Sequence, residues 1–344
     1  MSRSLLVASV LVVALCACGT TKPQPSGPAE PPAAGGQANP SPSAGPTSPS
    51  ASASPSASPS STPAFIPSYV APENKDLNPA EKLMRDHHLL REWTESASDA
   101  FIPPRDIPVK AEQCDTVNAF YSPEDRTITM CYEMVAYLQS LFAAPESGQS
   151  ATPDPQDVDE SVVGAMSGIY YHELGHALID LYDLPSTGRE EDAVDQLSAL
   201  VLISSAEDQR DYSEIISTIQ AWGRMSQQEV SQPLDKTVFA DEHSLSVQRY
   251  YNMMCYLYGS NHNAFLPLVA DGALPVTRAV RCEEEYAKMA KAWATLLAPH
   301  MRTDLPDVSP APTPSPSPSP TASPSPTPSP TPSPSPSPSS GRPS

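Results

Sequence analysis

The chain has 344 residues, 43 of them proline, and a formal charge of −20. Most of the prolines fall in two Pro/Ser/Thr/Ala tracts, about Thr20 to Ala64 and Pro306 to the last residue, with too few apolar side chains to offset the entropy of ordering. One foldable unit remains between about Phe65 and Leu305, long enough for a core, and its acidic surface excludes nucleic acid and anionic lipid as electrostatic partners.

The first segment reads as an export signal. Arg3 supplies a modest positive start, and Leu5 to Leu15 is an apolar run too short to span a bilayer comfortably. It ends in Leu15-Cys16-Ala17-Cys18-Gly19, which resembles a bacterial lipobox with Cys18 as the lipidated residue. Cys16 does not fit, because Leu15 would then occupy the position that requires a small side chain. The expected plan is a lipoprotein signal over 1–18, a disordered tether over 19–64, a folded domain over 65–305 and a disordered tail over 306–344. In polyproline II form, at about 3.1 Å per residue, the tether would reach on the order of 100 Å from the membrane.

Within the domain, Asn78-Pro79-Ala80-Glu81 has the form of a helix start. Leu83, Leu90, Trp93 and Ala97 continue it at helical spacing up to Pro103-Pro104. Ile107 to Glu112 reads as a short strand. Val117 to Tyr121 and Thr127 to Cys131 read as a hairpin around the turn composition Ser122-Pro123-Glu124-Asp125. A helix from about Tyr132 to Phe142 and a polar loop from Ala144 to Asp157 follow. The pattern is then helical from about Val158 to Tyr182, broken by Pro185 and Gly188, and helical again over Arg189–Ser204, Tyr212–Met225, Ser244–Tyr258 and Glu283–Leu297. A small sheet with many helices is an α+β fold.

In an exported protein the even set Cys114, Cys131, Cys255 and Cys282 implies two disulfides. Four cysteines permit three pairings. Nearest-neighbour pairing is expected, since each bond would close a local unit. A zinc-cysteine site is the competing reading, but no C-x-x-C spacing supports it.

The chemistry concentrates in "YYHELGHALIDLYDLPSTGREEDAVDQL", residues 170–197. H-E-x-x-H on a helix puts His172 and His176 one turn apart on one face, where both reach a single ion. Glu173 between them would take the proton of a water that the ion activates. Tyr170, Tyr171 and Leu174 make the surroundings apolar, where unpaired histidines and a glutamate would be costly. A catalytic zinc needs a third protein ligand and an open position. The H-E-x-x-H-x-x-G-x-x-H type is excluded, because Ile179 and Tyr182 stand where its glycine and last histidine would be. On the following helix Glu191 and Asp195 share a face. Glu191 would bind the metal, and Asp195 would accept a hydrogen bond from a ligand imidazole. Glu190 and Asp192 read as acids placed at a helix N-terminus by its dipole.

H-E-x-x-H followed on the next helix by E-x-x-x-D is similar to the gluzincin metallopeptidases, with thermolysin as the familiar member. Asn118-Ala119-Phe120-Tyr121 resembles the edge strand of those enzymes, where the asparagine side chain and alanine backbone hold a peptide antiparallel. More closely, Asn118 to about Arg281 resembles a family of bacterial metallopeptidase domains. The shared pieces are NAFY, the hairpin cysteines, YHELGHALI, REEDAVDQL, DEHSL and RYYNMMCYLYG. The resemblance implies a minimal, compact zincin with one Zn²⁺ per domain. The loop between the two ligand helices is shorter than in thermolysin, and no long C-terminal helical domain is evident. By the same resemblance His243 would point at the tetrahedral intermediate, oriented by Asp241, with Arg249 or Tyr250 assisting at the substrate.

The function expected is zinc-dependent hydrolysis of peptide bonds in an extracytoplasmic peptide or protein, by a domain tied to a bacterial membrane through its N-terminal lipid alone. The rival is a non-catalytic zincin-fold binding module on the same tether, with the Pro/Ser tail touching cell-wall polymer. An intact Glu173 argues against it, since a purely structural site has no use for a water-activating base. A zinc hydrolase acting on a non-peptide bond is a third reading, disfavoured by the peptide-like edge strand.

Overall fold

A computed structural model describes residues 62–145, 153–209, 211–231 and 239–302. The signal segment with Cys18, the tether as far as Ser61 and the C-terminal tail lie outside the described residues. The fold is α+β, a four-stranded mixed sheet joined to a helical layer.

The strands are β1 (Phe65–Tyr69), β2 (Ile107–Glu112), β3 (Ala119–Ser122) and β4 (Thr127–Cys131), in the order β1-β2-β4-β3. β2 and β4 are central and parallel, with Val109 opposite Ile128. Every residue of β4 is buried, Thr127 and Thr129 included, so both faces of this strand are covered and its TITMC sequence carries no charge. β3 runs antiparallel to β4, Ala119 opposite Met130, and forms one edge of the sheet. β1 forms the other edge, parallel to β2 with Phe65 opposite Ile107. β1 was not expected from the sequence. Its FIPSY carries a proline that argues against a central strand, and proline is tolerated at an edge. The hairpin loop is one residue shorter than expected, because β3 runs to Ser122. Its return is made by Arg126 in the left-handed region, φ 58°, whose N–H donates to the Ser122 carbonyl at 2.8 Å.

The single helix read from Asn78 towards Pro103 is two, α1 (Asn78–Asp86) and α2 (Leu89–Ala100). His88 sits between them at φ 54°. The apolar spacing runs through the break, so periodicity alone hides it. The bend lets Leu89, Leu90, Trp93 and Ala97 turn inward with Leu83 and Met84. Together these helices carry the crossover that a parallel β1–β2 pair requires.

α3 (Tyr132–Ala143) leads to α4 (Pro155–Tyr182), which is the axis of the domain. Pro155 occupies its first turn, and the Asp154 side chain accepts from the Gln156 N–H at 2.9 Å. α4 is apolar on most of its circumference, with Val162, Met166, Tyr170, Leu174 and Leu178 buried, because α3, α5 (Glu190–Gln209), α6 (Ser213–Val230) and the sheet enclose it. Trp93 stacks on Tyr170 at 4.9 Å, and its indole N–H donates to Ser167 at 3.1 Å. Beyond α6 come α7 (Ser246–Ser260), short turns α8 (Leu266–Ala270) and α9 (Val276–Ala279), and α10 (Cys282–Leu297). The two short turns had no sequence expectation.

The disulfides pair as expected, Cys114–Cys131 and Cys255–Cys282. The first ties the end of β2 to β4, and the second ties α7 to α10. With partners 17 and 27 positions apart in the sequence, each constrains the unfolded chain by about 3 kcal/mol.

Close approach of α6 to α4 depends on Gly168, where an added Cβ would run into the Thr218 side chain. Gly168→Ala is expected to destabilise the fold by about 1–3 kcal/mol, read as a lower urea midpoint with an unchanged slope. An unchanged midpoint would show that this contact is not tight.

Candidate metal centre

His172 and His176 lie on α4, where the helical repeat sets their rings 5.0 Å apart. The chain breaks at Asp183, φ 51°, and returns as α5, whose first turn must come close to α4 to reach them. Gly175 permits this. A Cβ there would lie 2.8 Å from the Val194 side chain on α5. The H-E-x-x-H glycine is therefore a packing requirement of the site. Through it α5 delivers Glu190, Glu191 and Asp195 onto the histidines.

Each imidazole has one nitrogen bound by its own carboxylate. His172 Nδ1 is 2.8 Å from Asp195 Oδ1, His176 Nδ1 is 2.7 Å from Glu190 Oε1, and His243 Nδ1 is 3.1 Å from Asp241 Oδ1. A carboxylate only accepts, so in the neutral ring Nδ1 carries the proton and Nε2 is left bare. All three Nε2 atoms then converge on one oxygen. Glu191 Oε2 is 3.1 Å from that of His172, 3.4 Å from that of His176 and 3.1 Å from that of His243. The oxygen is buried, and with the three rings neutral it receives no hydrogen bond. Three lone pairs facing a buried anion is an arrangement that a cation satisfies, and the imidazole and carboxylate donors suit zinc.

Protons are the substitute where no cation binds, and the electrostatics follow. Burial alone would lower the His176 pKa, but its bonds to Glu191 and Glu190 outweigh that and push it to about 9. His172 follows the same logic, with Asp195 and Glu191 overcoming burial. The bond to Glu191 raises His243. Burial would raise Glu191, yet the three histidines hold it well below the usual carboxylate range. Asp195 is also depressed. Burial opposes its charge, and Arg249 and then His172 restore it.

Arg249 does not stand where the sequence reading put it. It is 8% exposed and grips Asp195 with two bonds, Nε to Oδ2 at 2.7 Å and Nη2 to Oδ1 at 2.5 Å. Its guanidinium lies 3.5 Å over the Trp222 ring. It braces the carboxylate that braces His172, and it is absent from the cleft wall. Tyr250 packs over Gly223 and lines a separate cavity of about 480 Å³. Neither faces the cleft that the metal ligands would serve.

That cleft, about 470 Å³, runs between α4 and the edge strand. Asn118, Ala119, Phe120 and Tyr121 form one wall, with His172, Glu173, His176 and Glu191 opposite and Glu242 and His243 closing the end. Glu173 is 6% exposed and lines it. Tyr121 Oη donates to Asp180 Oδ2 at 2.7 Å, and Arg126 approaches the same carboxylate at 3.5 Å. These contacts fix the distance between β3 and α4. Sequence reading missed both this link and the part played by Glu190. Glu190 and His176 lie on opposite sides of the Pro/Gly break, and no fixed spacing relates them. The other histidines lie elsewhere: His262 pairs with Glu283, and His300 stacks on Tyr182.

Residues 69–297 match a family described as "Putative metallopeptidase", and the chain belongs to that family. No match was found among curated proteins or among solved structures.

Two measurements follow from the geometry. His176 has a folded pKa of about 9 against an ordinary value of about 6.5, so its proton stabilises the fold fully below about 6.5. That contribution is lost as pH rises through about 9. The melting temperature of chelator-treated protein is therefore expected to fall across this window, and a flat or rising profile would contradict the geometry. Glu190→Gln leaves a weaker partner on His176, and zinc affinity measured by competition with a chromophoric chelator is expected to fall about tenfold or more.

Proposed function

We propose that this member of the metallopeptidase family is a zinc-dependent peptidase, with one zinc held by His172 and His176 Nε2 and the Glu191 carboxylate. The observation that carries the reading is the buried Glu191 oxygen faced by imidazole nitrogens whose opposite sides are each tied to a carboxylate. Zinc, when bound, polarises the scissile carbonyl and lowers the pKa of water at its open position towards about 7.

The protein's own groups do the rest. Glu173, one residue beyond His172 and inside the cleft, takes the proton of the attacking water and later passes it to the leaving amine. Asp195 and Glu190 hold the two imidazoles in the Nδ1–H tautomer, and Arg249 keeps Asp195 ionised in its buried place. β3 offers an extended peptide an edge of the sheet that no other strand covers among the described residues, with Asn118 and Ala119 lining the same cleft as the histidines. Tyr121, held by Asp180, sets how far that peptide lies from Glu173.

The domain works outside the cytoplasm, tied to a bacterial membrane through a lipid on Cys18. The lipobox-like sequence supports this, and so do the two disulfides, which persist in an oxidising compartment.

Glu173→Gln removes the base and preserves the shape. The variant is expected to bind zinc at the same stoichiometry while kcat/KM on a mixed peptide library, read by mass spectrometry, falls about 10²–10⁴-fold. Unchanged cleavage by the variant would refute this mechanism.

A further inference from the structure

His243 stands closer to the centre than a residue waiting for substrate needs to. Its Nε2 is 3.1 Å from Glu191 Oε2, the same separation as His172 Nε2. His172, Glu191 and His243 each present a ligand atom within 4.8 Å of the others. Two ligands of one tetrahedral zinc, with bonds of about 2.0–2.2 Å, lie roughly 3.3 Å apart. His243 is therefore at ligand spacing.

Its tautomer points the same way. Asp241 Oδ1 takes both the His243 backbone N–H at 2.9 Å and, at 3.1 Å, Nδ1. The neutral ring then turns a bare Nε2 towards the site. A hydrogen-bond donor to a developing oxyanion would need a proton on that atom. A carboxylate behind Nδ1 and a bare Nε2 in front is also what His172 and His176 show, and it is how metal-bound imidazoles are oriented.

We propose that His243 is a fourth protein ligand, which closes the metal's open position until substrate displaces it. This rests on the zinc-site reading above. The segment that carries His243 suits such a role. The side chain is 42% exposed, so it can leave towards solvent without opening the core. Two contacts hold the segment to the start of α5: Ser244 Oγ donates to Asp192 Oδ1 at 2.6 Å, and Arg189 Nη1 to the His243 carbonyl at 3.4 Å. Withdrawal of His243 would free one coordination position in the cleft that Glu173 also lines and leave His172, His176 and Glu191 in place.

The test uses the full chain loaded with cobalt(II) or zinc, and counts imidazole ligands by metal K-edge absorption. Three imidazoles are expected in the unmutated protein and two in His243→Ala, with zinc affinity at least tenfold weaker in the variant. Two imidazoles in the unmutated protein, or an affinity within twofold between the two proteins, would overturn the proposal and leave the zinc site standing. Failure of the unmutated chain to bind either metal would overturn the zinc site itself, and this proposal with it.

Discussion

The convergence of three imidazole nitrogens on one buried carboxylate oxygen is the constraint around which the domain is arranged. None of the groups involved can be brought there cheaply. Glu191 is partly withdrawn from water, His172 almost wholly so, and each would resist its charge or its lone pair in isolation. The protein answers with a shell of further carboxylates, Asp195, Glu190 and Asp241, one behind each ring. Asp195 is itself buried and is answered by Arg249, whose guanidinium rests on Trp222. The chain of compensation runs from the candidate ion position outward to an aromatic face, and each member fixes the orientation of the one before it.

The fold exists in a form that makes this possible. α4 must be buried on nearly every side to hold the histidines in an apolar setting, so the sheet, α3, α5 and α6 all pack on it. Two of its glycines mark where neighbours come closest: Gly168 admits α6, and Gly175 admits the α5 turn that carries Glu190 and Glu191. On the other side of the cleft, β3 is pinned to β4 by backbone pairing and to α4 by Tyr121 and Asp180. The Cys114–Cys131 bond holds the same corner. The Cys131 N–H donates to the Asn118 carbonyl at 3.3 Å, so the disulfide is tied to the residue that leads into β3. A rigid wall opposite a rigid helix that carries the candidate metal ligands is what positioning catalysis requires.

Much of this was legible because it is local in sequence. H-E-x-x-H and E-x-x-x-D are both i, i+4 patterns, and a helix turns such spacing into shared faces without help from the rest of the chain. The hairpin, its edge strand and the nearest-neighbour cysteine pairs are equally short-range. What escaped the sequence depends on packing between distant elements. Arg249 and Tyr250 are adjacent in sequence and project from α7 in different directions, one beneath the candidate metal and one towards a separate cavity, and nothing in the spacing decides between them. Glu190 looked like an ordinary acid at a helix start because its partner His176 lies beyond a loop of undefined geometry. β1 was hidden by its proline, and the break at His88 by an apolar repeat that continues across it.

The most direct test is anomalous diffraction at the zinc edge from crystals of the full chain grown with zinc. The account predicts one strong peak per chain at bonding distance from His172 Nε2, His176 Nε2 and the Glu191 carboxylate, with Glu173 beside it in the cleft. A peak elsewhere, or well-ordered side chains at these three positions with no ion among them, would contradict it.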